Sequence, residues 1–423
     1  MLIVKCLEKY KDKNGVITNY KIQDTVGQVR VVTACQLKRA ILNKQVECIN
    51  LTLTSDNRLI DKEQKTTMDI TEKFILKMRA LGKCDADGHV IYNNAEYAIQ
   101  DKKVSLVRCM VKTGEFTIEP FVTDIGLIAQ YTSPFDESVS LKIINKSQVT
   151  NMDELFFECG KLEELDLSEF DTSKVTCMKS MFDTCFSLKK LNIKNFNTSR
   201  VANMQFMFSG CRELQELDVS SFDTSNVENM EGMFLECKKL KVLDLHNFNT
   251  HKVRKIYSMF QYCTNLEQID LSSFDISKVD NLSSMFFGCY ELKQLDLSRF
   301  NTANVDNMSM MFRGCGKLKK LDLSNFDTSN VRSMSYMFCE CRSLETLEVR
   351  NFNIENVNDM GYMFYSCVSL KGLDLSSFNI NEAILKNNRV NRMFEHCNTE
   401  TFKMAPRLKA LILSNLDIDE AKQ

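Results

Sequence analysis

Ten of the seventeen cysteines in this 423-residue chain stand on a beat. Cys159, Cys185, Cys211, Cys237, Cys263, Cys289, Cys315, Cys341 and Cys367 follow one another every 26 residues, and Cys397 comes after 30. Thiols do metal or redox chemistry when two or more meet in an accessible place. No C-x2-C pair occurs here, and the odd total argues against a disulfide framework. The ladder is therefore expected to be a file of small apolar core residues. The four histidines, His89, His246, His251 and His396, fall in no H-E-x-x-H pattern. His396 adjoins Cys397, but that cysteine belongs to the ladder. Asp85-Ala86-Asp87-Gly88-His89, with Glu96 eleven positions after Asp85, has the acidic start of a calcium loop. Its glycine stands at loop position 4, whereas the sharp turn needs it at 6, so a hairpin turn is expected instead. No Walker loop, G-x-S-x-G or G-x-G-x-x-G appears. The expectation is a protein that is not an enzyme and takes no metal and no cofactor.

A second file of residues on the same beat is acidic. Asp166, Asn192, Asp218, Asp244, Asp270, Asp296, Asp322, Glu348 and Asp374 each lie between two apolar residues, so they point away from a core that holds their neighbours. In-register carboxylates repel unless a cation, water or a partner screens them. One reading is an acidic stripe that takes a basic protein surface. The other is that each Asp bonds its own turn. The flanking positions vary most, and Lys190, Lys194, His246 and Arg350 are the departures from the common pattern. A third file, Asp171, Asn197, Asp223, Asn249, Asp275, Asn301, Asp327, Asn353 and Asn379, alternates Asp with Asn through its first eight members. An Asx-turn acceptor in every coil is its expected role.

The element that positions these residues is V-x2-M-x2-M-F-x2-C-x2-L-x2-L-x-L-x2-F-[DN]-T, seen at Val175–Thr198 and repeated along most of the chain. A fixed period of about 20–50 residues means a stack of repeats. Val175, Met178, Met181, Phe182, Cys185 and Leu188 have the spacing of a helical stripe, with Thr172 or Ser173 as its N-cap. In one coil Ser225 and Glu228 have capping-box spacing. Leu191 and Ile193 alternate as a short strand, and Phe196 turns the chain inward. The expected fold is an α/β solenoid, a leucine-rich-repeat-like stack with one short parallel strand and one short helix per 26-residue coil. Residues 149–397 form the stack, 121–148 a bridge and N-terminal cap, and 398–423 a C-terminal cap. A small α+β domain over 1–120 precedes it. There Leu2–Leu7 reads as a strand, Lys13-Asn14-Gly15 as a turn, Thr33 as cap of a helix over Gln36–Lys44, and Glu72–Leu81 as a second helix. Leu141–Ile144 is expected as a strand covering the first coil.

The repeat L-D-L-S-x-F-D-T-S-x-V-x2-M-x2-M-F-x2-C, seen at Leu321–Cys341, resembles the BspA-like leucine-rich repeat family of bacterial surface proteins over about residues 141–400. The resemblance implies a solenoid used for protein–protein contact, often in adhesins. Residues 1–120 resemble no family. They carry 20 Lys+Arg and 15 Asp+Glu, and the whole chain has a net charge of −2, which argues against nucleic acid as a partner. The start carries too short an apolar run for a signal peptide, and no apolar run reaches about 18 residues. The expectation is a cytoplasmic protein that binds another protein on the concave sheet face of the stack. A cell-surface adhesin is the first alternative. An enzymatic or nucleic-acid module at the N-terminus, targeted by the solenoid, is the second.

Overall fold

The computed structural model describes residues 2–11, 17–24, 28–33, 36–37, 40–41, 43, 46–48, 51–53, 59–61, 74–75, 77–79, 81, 83–85, 87–93, 95–100, 103–109, 114–119, 122, 139–145, 149–382, 384, 390 and 392–412. The chain divides into two units, Met1–Leu106 with Glu119–Thr123, and Val107–Ile118 with Asp124–Gln423.

In the first unit β1 (Leu2–Lys11), β2 (Ile17–Asp24), β3 (Val29–Thr33) and β4 (Val46–Cys48) form a sheet ordered β3-β2-β1-β4. The strand expected at Leu2–Leu7 is there and pairs antiparallel with β2. The turn at Lys13-Asn14-Gly15 lies outside the described residues, as does most of the bridge. Thr33 is a cap: the Gln36 N–H donates to Thr33 Oγ1 (3.1 Å) and the Thr33 N–H to Gln36 Oε1 (3.0 Å), the reciprocal bonding of a capping box. Residues 36–37 and 40–41 are helical, as are 74–75 and 77–79, where Phe74, Ile75 and Met78 are buried. β5 (Leu51–Leu53) pairs with β6 (Leu59–Asp61), while β7 (His89–Tyr92), β8 (Ala95–Gln100) and β9 (Lys103–Cys109, which runs past the division at Leu106) make a third sheet. The turn at Asp87-Gly88 leads into β7 and does not join two strands. Gly88 has φ +88°, and a Cβ there would lie 2.4 Å from the Ile99 carbonyl oxygen, so both backbone and space require glycine.

The second unit is a β-solenoid of about ten coils. Coil 1 holds Cys159 and coil 10 holds Cys397. β10 (Gly114–Ile118), β11 (Val139–Asn145), β12 (Leu162–Asp166) and β13 (Lys190–Asn192) pair in parallel in that order. The strand expected over Leu141–Ile144 thus covers coil 1, and β10 covers that strand in turn. Further pairs are β14 (Val242–Leu243) with β15 (Gln268–Ile269), β16 (Lys320–Asp322) with β17 (Thr346–Glu348), and β18 (Asp374–Leu375) with β19 (Lys403–Met404). The register Leu165↔Leu191 or Leu321↔Leu347 is one repeat, so each apolar position becomes a ladder.

The helix expected in each coil does not form. Its place is taken by a run of β-turns. In coil 2 the N–H groups of Met178, Ser180, Phe182 and Thr184 donate to carbonyls of Asn203, Gln205, Met207 and Ser209 in coil 3, at 2.8–3.0 Å. The intervening N–H groups of Met181, Asp183 and Cys185 close turns on the carbonyl three residues back. Ser180 and Thr184 are third residues of such turns, with φ of +51° and +61°, the mark of type II geometry. Every coil has two such residues, from Glu154 and Glu158 to Arg392 and His396, and only Gly210, Gly232, Gly288 and Gly314 among them are glycines. The stacking distance explains the choice. Phe156, Phe182, Phe208 and their successors to Phe394 stack face to face with centroids 5.4–5.8 Å apart. Helices pack about 8–10 Å apart, too wide for that spacing, whereas turns fit and hand their amides to the next coil. These overlapping β-turns bring Met178, Met181, Phe182 and Cys185 to the buried side, which is why the spacing imitates a helix.

The caps fail with the helix. Thr172 bridges coils instead, its Oγ1 donating to Asn197 O (2.9 Å) and accepting from the Asn197 N–H (2.8 Å). Thr198, Thr224, Thr250, Thr302 and Thr328 likewise donate one repeat ahead. Ser225 and Glu228 form no capping box. The Ser225 N–H goes to Asp223 Oδ1 (3.0 Å) and the Glu228 N–H to Ala202 O (2.8 Å). The ladder cysteines are core, and they are also donors. Nine of the ten give their S–H to the Phe carbonyl of the preceding coil, as Cys263 does to Phe234 O at 3.1 Å.

Candidate functional site

The strand file comes together on one edge of the coils. Asp218, Asp244, Asp270, Asp296, Asp322 and Glu348 are exposed, and Asp166, Asn192 and Asp374 are half-buried. The aspartates serve their own turns: in all seven, Oδ1 accepts the N–H two residues on at 2.9–3.1 Å. Asn192 makes the same bond to the Lys194 N–H at 3.5 Å. The Ser220 hydroxyl and N–H hold the Asp218 carboxyl below its ordinary value, and the Ser272 N–H and hydroxyl do the same for Asp270. Burial and the neighbouring Asp244 push both up, by less. Hydrogen bonding therefore outweighs repulsion between coils, and the aspartates of the file stay anionic at neutral pH.

The flanking residues pair sideways. Lys190 bonds Glu164 one coil back (2.5 Å), Arg350 Nε reaches Asp374 Oδ2 one coil ahead (3.2 Å), and His246 Nδ1 lies 2.7 Å from Asp244 Oδ1. Lys194 is exposed, and its charge helps lower the Asp166 carboxyl after the Ser168 bonds, against burial as the largest opposing effect. Lys189–Glu163 (2.9 Å), Lys239–Glu213 (2.5 Å) and Lys293–Glu267 repeat the rung pattern.

The edge is not uniform. In coils 1 and 2 the Lys189 N–H bonds Glu163 O (2.8 Å), and between coils 4 and 5 the Glu267 N–H bonds Lys241 O (2.9 Å). Among the described residues, Gln215–Asp218 in coil 3 makes no backbone–backbone bond to either neighbouring coil. A cleft of about 730 Å³ opens there, lined by Glu216, Leu217, Asp218, Lys239, Lys241, Val242 and Asp244 among others. Val242 is 59% exposed at a position where other coils carry Glu164, Lys190, Glu216, Gln268, Gln294, Lys320, Thr346 and Gly372.

Among the described residues no three His, Cys, Asp or Glu side chains are placed to hold a metal ion. The Asp85 carboxylate instead accepts the N–H groups of Asp87 (3.0 Å) and His89 (2.7 Å), and His89 Nδ1 meets Glu96 Oε1 at 2.9 Å. Burial pushes the Cys263 thiol up to about 12 and the Cys397 thiol to about 11. Nor is any helix among those residues long and apolar enough to cross a membrane.

The repeat that builds these edges is shared with other proteins. A family described as "Mycoplasma protein of unknown function, DUF285" matches residues 128–242, 210–320 and 281–405. The chain belongs to this family. No curated protein and no solved structure matches it.

In this DUF285 chain a second file, half-buried, lies on the run of turns, a part of the coil read from the sequence as a helix. Tyr262 packs on Phe287 (centroids 4.6 Å), and Arg313 stacks over Phe287 (5.0 Å) and over Tyr336 (5.1 Å). Tyr336 stacks on Tyr362 (4.7 Å), Tyr362 meets Tyr365, and Tyr365 meets His396. Gly288 makes room: a Cβ there would lie 2.5 Å from Tyr262 Cδ1. The signal was present as aromatic residues replacing Ser, Gly and Asp around M-F. A helical reading scatters those positions around a cylinder.

Proposed function

We propose that this chain is a non-enzymatic cytoplasmic protein that binds another protein on the strand edge of its solenoid, centred on the coil 3–coil 4 cleft. The observation that carries the reading is the unpaired backbone of Gln215–Asp218 beside exposed Val242. Unpaired strand backbone takes up an extended segment of a partner, and a neighbouring apolar side chain adds selectivity. Carboxylates and lysines around the cleft supply both signs of charge, suited to setting register. The likeness of the repeat to BspA-type surface proteins supports a binding scaffold. Thirteen described cysteines are free thiols, which supports a reducing compartment.

Affinity capture with the full chain tests this, comparing wild type, Val242→Asp and Val368→Asp, the last an equally exposed valine elsewhere. The partner should be lost with Val242→Asp and kept with Val368→Asp. Retention by Val242→Asp removes the strand edge as the site. The adhesin reading, favoured by the same likeness, predicts labelling of the protein on intact cells by an impermeant reagent; its absence there rejects that reading.

A further inference from the structure

We propose that the tyrosine–arginine file on the turn run of coils 5–10 is a second docking surface, for a protein segment that brings one carboxylate flanked by apolar side chains. The inference rests on the protein-binding reading above only in that the occupant is a protein.

Arg313 is the centre. Its guanidinium lies between the rings of Phe287 and Tyr336 at 5.0 and 5.1 Å, so its plane is held in place. Among the described residues it makes no ion pair, and its Nε is buried without a hydrogen-bond partner. The Cys339 thiol is the polar group against it. Buried polar groups in folded proteins are nearly all partnered, and an exception calls for an explanation. A planar guanidinium held between two rings, with its Nε buried, fits a carboxylate in two-point contact through its remaining N–H groups.

Charge complementarity selects the occupant. The runs 257–262, 283–288, 309–314, 335–340, 361–366 and 391–396 contain four charged residues, Arg313, Glu340, Arg392 and Glu395; Glu340 faces Arg342 at 3.9 Å and Arg392 pairs with Glu395 at 3.3 Å. Arg313 is the one of these four without an ionic partner among the described residues, and a lone cation among aromatic rings is matched by one anion set among apolar groups. Tyrosine and arginine are also the residues that dominate binding energy at protein interfaces. Two packed, pre-ordered rings on each side reduce the entropy lost on binding. A phosphorylated segment would bring about two negative charges to a single cation, which the field around Arg313 does not balance. An uncharged sugar would leave the guanidinium unmatched.

The test pans a random 12-residue peptide library on the full chain. Selected peptides are then resynthesised with Asp/Glu, with Asn/Gln, and with phosphoserine at the acidic position. Expected are peptides with one acidic residue among apolar ones, binding at least tenfold more tightly than their Asn/Gln forms. Arg313→Gln should abolish that difference, Arg313→Lys should retain part of it, and Val242→Asp should leave it intact. Urea midpoints of the variants confirm that each is folded; a variant that is not is replaced by Tyr336→Phe and Tyr362→Leu, with a tenfold loss expected for the leucine alone. The inference is overturned by no enrichment of acidic peptides, by tighter binding of phosphoserine forms, or by affinity indifferent to Arg313. Peptides lost with Val242→Asp but kept with Arg313→Gln reject this surface and leave the strand edge standing. Binding only to an array of neutral oligosaccharides would reject both.

Discussion

Gly210→Ala separates turns from helix by sign. Gly210 has φ +70°, and a Cβ there would lie 3.0 Å from Thr184 Cα and 3.1 Å from Thr184 N in the preceding coil. Those are backbone atoms with no rotamer to escape through. The left-handed conformation costs an alanine about 1–2 kcal/mol, and the close approach adds to it. Alanine's lower unfolded-state entropy offsets roughly 0.5–1 kcal/mol. A net loss of about 1–2 kcal/mol is expected. In a helix the same change would gain about 0.8–1 kcal/mol, so the two readings differ by roughly 2–3 kcal/mol in opposite directions. Urea unfolding of the full chain measures it by tyrosine fluorescence, since the chain has eleven tyrosines and no tryptophan. Because coils contact only their neighbours, hydrogen exchange should show the loss in coils 2–4 first. Ser258→Gly, at φ +57°, is the mirror experiment and should gain about 0.5–1 kcal/mol. A raised midpoint for Gly210→Ala, or a lowered one for Ser258→Gly, refutes the turn run.

Thr250→Val keeps shape and removes the hydroxyl that both donates to Asp275 O (2.8 Å) and accepts from Asp275 N (2.7 Å). The urea midpoint should fall by the equivalent of about 1–3 kcal/mol; Ile276 at the matching place one repeat on indicates that the variant folds. The strand aspartates are held below their ordinary value, so their contribution is fully present above about pH 4 and lost as pH falls through the lower folded values. Ser272→Ala should raise the Asp270 carboxyl toward its ordinary value, seen by carbon NMR titration, and shift acid unfolding to higher pH. Maleimide at pH 7 should leave the ladder thiols unlabelled until urea is added, because burial pushes Cys263 up to about 12; labelling of Cys263 in the native chain means the stack opens. His89 is raised, first by its bond to Glu96, so that pair's contribution is present below about pH 6.5 and lost as pH rises through the higher folded value. Glu96→Gln should lower the His89 midpoint in a proton NMR titration.

Much of the stack was legible in the residues. The 26-residue beat located every core ladder, and the Asx acceptors from Asp171 to Asn353 do bond the N–H two residues on, as in Ser173 to Asp171 (2.9 Å) and Ser329 to Asp327 (2.9 Å). The cap at Thr33 was legible because T-x-x-Q closes within one turn of chain. Of the strand file, the residues were legible but not their balance, which depends on a serine hydroxyl outweighing a carboxylate one coil away.

By itself the sequence determined the period, the buried face of each repeat and the turn after each phenylalanine, because these depend on residues close in the chain or equal in spacing. The tertiary structure decided the rest. Whether Val175–Leu188 coils as a helix or folds as turns depends on carbonyls offered by the next coil at a 5.4–5.8 Å stacking distance, and no local propensity encodes them. The opening at Gln215–Asp218 and the sandwich around Arg313 arise where successive coils place unlike residues side by side. They appear only once the coils are stacked.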